Sequence, residues 1–285
     1  MAKAKLDIKK LEALGVERLA KILLDLSSTN TAVKRHLLIE IASHAGPGEL
    51  ASIIRKRIAA YARSQSFVDW QGIRKLAHEL DQLRKMIVDT LADISPEDAL
   101  DMLWRFMTLA RQIYERCDDS NGYVSHVFQT ACQDFGALAK RAQIDPVVLA
   151  DRVYETQIVN DYGQYDNLIT ILAGSLGEKG LEHLKDRFKH IINLHNQPPN
   201  VVRLDQRKSS SGVVKYQSSS SDKGRTARSA LQEIADAQGD VDSYIAHYEE
   251  STLQVPKIAA EVAMRLIKAS RIDEAFAVLD LAQSN

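Results

Sequence analysis

The chain has 285 residues, of which 45% are hydrophobic and 26% charged, and its net charge is −1. So even a balance excludes a global field that would draw it to nucleic acid or an anionic membrane; any such attraction has to come from a local patch. Six prolines and thirteen glycines are few for this length, which argues against a β-sandwich and for helices.

The opening MAKAKLDIKK lacks the apolar core of a signal peptide. Residues 6–14 read as a short helix ended by Gly15, and 16–26 as a second with Leu19, Ile22, Leu23 and Leu26 on one face. A third helix is expected over 33–45 and a fourth over 50–63, on either side of the break at Gly46-Pro47-Gly48. The stretch 66–93 reads as the longest uninterrupted helix and the organiser of its neighbours. Its stripe runs through Trp70, Ile73, Ala77, Leu80, Ile87 and Leu91, widened by Leu76, Leu83 and Val88. Ser66 is expected to cap it, with Asp69 three residues on.

Ser95-Pro96-Glu97-Asp98 is the cleanest helix start: serine caps, proline takes the first helical position, and two acids meet the positive end of the dipole. The helix it opens is apolar on more than one face, from Leu100 to Tyr114. A turn at 118–122 precedes a helix over 124–140. Asp145-Pro146 is a second cap-plus-proline start, leading to Ile158. After a break at Asp161-Tyr162-Gly163, a helical hairpin is expected from 165–176 and 181–194, turning at 177–180. From 197 to about 225 the helical period disappears among serine clusters, and a flexible segment is expected. Helices resume at 227–237, 240–248, 255–269 and 272–283.

The last pair, with Ala275 and Ala282 seven apart, resembles the second half of a tetratricopeptide (TPR) repeat, although Ser270 stands where such repeats use glycine. The expected fold is therefore all-α: an elongated α-solenoid of TPR- or HEAT-like hairpins. Its parts would be a helical domain over 1–196, a flexible Ser/Lys-rich linker over 197–226 and TPR-like helices over 227–285. Ala275, Phe276, Val278, Leu279 and Ala282 leave few polar positions for a capping helix. This apolar end is expected to dimerise, to pack on a partner, or to pack on further chain.

Chemistry is harder to place. Arg55, Lys56, Arg57, Arg63, Arg74, Lys75, Arg84 and Lys85 fall on two successive helices. If those helices are antiparallel, a positive surface for phosphates could form; solvated helix faces are the plainer reading. Asp69 and Trp70, and Tyr162, Gln164 and Tyr165, lie where helices join. They could line a groove or clamp one hairpin on the next. His183 and His190 lie two helical turns apart without further ligands, GSLGEKG lacks the GK[ST] ending of a phosphate loop, and CDDSNG lacks the ligand spacing of a calcium loop. Cys117 and Cys132 read as free thiols of a reducing compartment. No catalytic, metal or cofactor residue is expected, and no window reaches the ~18 apolar residues of a membrane span.

The segments IRKRIAAYARSQSFVDWQGIRKLAHELDQLRKMI, LWRFMTLARQIYERCDDSNGYVSHVF, DYGQYDNLI and LQEIADAQGDVDSYIAHY resemble a family of long bacterial helical proteins, the domain of unknown function 6880. The resemblance covers nearly the whole chain except the serine-rich insert. It implies an all-helical protein whose hairpins continue past Asn285, and brings no activity, cofactor or catalytic residue. The resulting expectation is a cytoplasmic, non-enzymatic scaffold for a protein partner, without a membrane. The alternatives are a nucleic-acid-associated protein using the basic helices 53–85, and an enzyme whose site assembles from distant helices.

Overall fold

The computed structural model describes residues 7–196, 220–248 and 250–283. They are all-helical, with no strand among them; a single β-bridge joins Val68 and Cys117. The chain divides into two compact units, Met1–Asp118 and Asp119–Asn285. This division differs from the expected one at 196 and 227. Residues 197–219 of the expected linker lie outside the described residues, whereas 220–226 belong to a helix.

The first unit holds α1 (Ile8–Glu12), α2 (Val16–Thr29), α3 (Thr31–Ala45), α4 (Pro47–Arg63), α5 (Ile73–Lys85), a π-helical turn (Met86–Leu91), α6 (Ala92–Ile94), α7 (Pro96–Met107) and α8 (Leu109–Tyr114). Helix α4 packs on α7, α8 and the π-helical turn. Its Leu50 and Ile54 are fully buried, as are Ile87 and Leu91 of the turn and Leu103, Phe106 and Met107 of α7. Helix α2 packs on α3 and α3 on α4, but no residue of α2 is buried.

The expected long helix is corrected here. It starts at Ile73, not at Ser66, and its i→i+4 ladder gives way to the π-helical turn at Met86. Gly72 stands at the N-cap without a side-chain bond, and Asp69 braces the turn before it, its Oδ1 accepting from the amides of Gln71 and Gly72 at 3.1 and 2.9 Å. The physical reason is tertiary. Val68 forms its bridge with a partner far along the chain, which commits the residues before Asp69 to extended backbone. Ser95 does cap α7, accepting from the Asp98 amide at 3.4 Å.

The second unit holds α9 (Tyr123–Ala142), α10 (Pro146–Ile158), α11 (Leu168–Asn196), α12 (Ser220–Gln238), α13 (Val241–Ile245), α14 (Glu250–Leu253), α15 (Pro256–Lys268) and α16 (Ile272–Gln283). Helix α11 packs on α9, α10 and α12, and its Leu172, Leu176, Leu184 and Phe188 are fully buried. The span Leu168–Asn196 is two helices that meet at Gly177, φ 56°, ψ −172°, so the break expected over 177–180 is present but takes Gly177 alone. A second core joins α12, α13, α15 and α16 through Ala235, Tyr244, Val262, Leu266 and Ala275.

Two caps place the starts of this unit. Asp119 accepts from the amides of Val124 and Ser125 at 2.9 and 2.8 Å, so CDDSNG is a stop and a new start. Asp145 accepts from Val147 and Val148 at the head of α10.

Candidate functional site

The basic residues singled out in the sequence lie on α4 and α5. The Tyr61 hydroxyl donates to Glu79 Oε2 at 3.1 Å, and Arg57 Nη1 lies 2.9 Å from Met86 Sδ. Tyr61 thus meets α5 and the earlier Arg57 meets the π-helical turn that follows it, so α4 runs antiparallel to this stretch. Arg57 is half-buried by this contact, while Arg55, Lys56, Arg63, Arg74 and Lys75 remain exposed. Further along α5, Arg84 and Lys85 share Asp81 at 2.8 and 3.0 Å and are neutralised there.

Between these helices residues 64–72 form a braced loop. Val68 donates to the Arg116 carbonyl and accepts from the Asp118 amide, both at 2.9 Å. The Arg116 guanidinium donates to the carbonyls of Ser66 and Tyr61 at 3.2 and 3.4 Å. Gly72 closes the loop tightly, because a Cβ there would stand 3.0 Å from Val68 Cγ1. With Val68 turned toward the bridge, its neighbours face out: Phe67 is 67% and Trp70 63% exposed. Trp70 is therefore no part of the buried stripe expected of it. Asp69 is occupied by the Gln71 and Gly72 amides of the turn before α5.

The second junction, between α10 and α11, behaves differently. Gln164 and Tyr165 are buried, and only Tyr162 of the three expected residues stands out. Gln164 accepts from the Tyr162 amide at 3.2 Å and donates to the Val159 carbonyl at 3.3 Å. Asn160 accepts from the Tyr165 amide and donates to Asp166 Oδ1, both at 2.9 Å. Gln157, itself buried, donates to the Tyr165 carbonyl at 3.1 Å. These bonds tie the junction to itself. Burial pushes the Tyr165 hydroxyl far above its ordinary value, so it stays neutral.

Beside this junction lies an open polar cleft of about 600 Å³, lined among others by Gln157, Asp161, Asp166, Arg225 and Glu233. Glu233 accepts from the Thr170 amide at 2.8 Å, near the head of α11. Burial nonetheless raises its carboxyl above the usual range, and Asp166 pushes the same way. The same surroundings, burial foremost, push the buried Cys132 thiol up to about 12. Sequence reading missed Glu233 because it stands alone on α12, and no spacing ties it to a loop that precedes it by some 63 residues.

The histidine pair is not brought together as a site. His183 Nε2 lies 2.9 Å from Asp151 Oδ1, and Arg187 pairs with the same carboxylate while stacking on Tyr154, 3.7 Å from its ring centre. His183 and Arg187 hold the Asp151 carboxyl below its usual value. This network fastens α10 to α11, and His190 lies outside it, exposed. Among the described residues no three His, Cys, Asp or Glu side chains converge as a metal site. Among them, too, no helix is long and apolar enough to cross a membrane.

One family model matches residues 1–285. The chain belongs to the family of unknown function DUF6880. No curated protein and no solved structure matches it. This DUF6880 chain offers a braced aromatic loop beside exposed cations in the first unit, and a self-bonded junction beside a polar cleft in the second.

Proposed function

We propose that this chain is a non-enzymatic protein–protein interaction scaffold of the cytoplasm, built from TPR- or HEAT-like helical hairpins, and that its α15–α16 hairpin receives a protein partner. One observation carries this reading. The inner side of the hairpin is closed by Ala259, Val262, Ala263, Leu266, Ala275 and Ala282, yet Met264, Ile267, Ile272, Phe276 and Leu281 stand exposed on the same two helices. Met264 is 69% and Phe276 62% exposed. Scattered apolar residues on a surface are ordinary, and five within one hairpin support reading it as an interaction face.

Three further features support the proposal. Helices pack on their neighbours in sequence, as α2 on α3, α3 on α4, α10 on α11 and α15 on α16, which is the pattern of repeat arrays. Groups beside the polar cleft are engaged in fastening the α10–α11 junction, which favours binding over reaction chemistry. Both cysteines are free thiols, in keeping with a reducing compartment.

The test is affinity isolation of the chain from its host cells with chemical cross-linking, beside a Met264→Asp, Phe276→Asp variant. Lys257 and Lys268, at the ends of α15, should cross-link to one defined protein, and the variant should lose it. Both substituted residues are exposed, so the fold should survive, as a circular-dichroism melt would verify. Recovery of the same cross-links from a folded variant would refute the proposal.

A further inference from the structure

We propose that the surface around Phe67 and Trp70 in the first unit binds single-stranded nucleic acid. The first reason is the presentation of the rings. Two large aromatic side chains are held in water by a loop that cannot fold them away: the Val68 bridge, the Arg116 guanidinium, the Asp69 carboxylate and the close Gly72–Val68 contact fix its backbone. A platform already ordered loses little entropy when a ligand stacks on it.

Charge is the second reason. The antiparallel course of α4 and the α5–π stretch, with Tyr61 bonded to Glu79, brings the last turn of α4 to the end of α5 where this loop joins them. Arg63 and Lys75 are exposed at that end, with Arg55 and Lys56 further along α4. None of these four forms an ion pair among the described residues, whereas Arg84 and Lys85 at the other end of α5 are neutralised by Asp81. The acidic residues of α4, α5 and the bridged loop are Glu49, Asp69, Glu79, Asp81, Glu115 and Asp118; Asp81 is taken up by Arg84 and Lys85, and Glu115 by Arg111. Asp69 is drawn into backbone amides and Glu79 into the Tyr61 hydroxyl, which disperses their charge. Unpaired cations on the same surface as exposed rings suit a polymer that alternates phosphates with flat aromatic faces. A duplex hides those faces in its stack, and an acidic peptide has none to offer, so an unpaired strand is the partner that uses both features.

The test titrates a labelled oligothymidylate of about 20 nucleotides with the full chain, at about 50 and 200 mM salt. Saturable binding should weaken with a log–log slope near −2, as expected for about three phosphate contacts on a single strand. Trp104 is buried, so quenching of tryptophan emission reports Trp70. Trp70→Ala and Phe67→Ala should each weaken binding roughly tenfold, and Lys75→Glu should flatten the salt slope. Either ring variant suffices if the other fails to fold. Absence of saturable binding at the lower salt would overturn the inference. So would full affinity in both folded ring variants, tighter binding of the matching duplex, or equal displacement by polyglutamate, which would show a surface reading charge alone.

Discussion

At the residue scale, several side chains sit in conditions their chemistry resists, and each has a neighbour that explains it. Ser270 takes a left-handed backbone, φ 62°, between α15 and α16, a conformation that glycine adopts more easily. Glu233 is the costlier case. Its carboxyl is raised by burial, so the unfolded chain loses this proton first as pH climbs. The contribution to stability is fully present below the ordinary value of 4.5 and is lost as pH rises through the higher folded value. Glutamine has no charge to bury but keeps the Oε1 acceptor for the Thr170 amide. Glu233→Gln should therefore melt above the parent chain at about pH 8, by some 2–4 °C for each kcal/mol relieved in a unit of this length. The gap should close near pH 4, where both states of the parent are protonated. Thermal melts across that range check this; a gap independent of pH would contradict it.

At the element scale, helices were legible wherever local chemistry decides them. Ser95-Pro96 and Asp145-Pro146 open α7 and α10 as their sequences require. What could not be read is what distant residues impose. The helix expected from Ser66 begins seven residues later because Val68 bonds across to Arg116 and Asp118. Trp70 has the right spacing for a buried stripe but precedes the helix, so helical spacing does not govern where it points. Tyr165 and Gln164, aromatic and polar at a junction, suit either a groove or a clamp by sequence; both are buried, and Gln164 bonds within the junction. Glycine spacing likewise suggested a turn over 177–180, yet only Gly177 breaks helical geometry, and Gly180 serves a different purpose. A Cβ on Gly180 would stand 2.8 Å from the Pro146 carbonyl, so its smallness permits α10 and α11 to approach. Gly180→Ala should cost about 1–3 kcal/mol as an overpacked site. Denaturant unfolding measures this directly, and an unchanged midpoint would show that the two helices part without strain.

At the scale of the whole molecule, each compact unit closes its own core and leaves apolar surface on particular helices. In the first unit α2 buries nothing, and Leu24 stands out among several exposed leucines. In the second, α15 and α16 show the same excess. The apolar run Phe276, Val278 and Leu279 of α16 is plain in the sequence. The sequence could not say which of them would be covered: Val278 and Leu279 are packed against the second core while Phe276 is not. Such a face, left in water, is weakly unfavourable and favours association. The most direct measurement is a calorimetric titration of the purified chain with the protein cross-linked to α15, in parallel with its Met264→Asp, Phe276→Asp variant. Binding at one to one, weakened at least a hundredfold (about 2.7 kcal/mol) in the variant, is what a docking face on this hairpin predicts. Equal affinities for the two chains would contradict it.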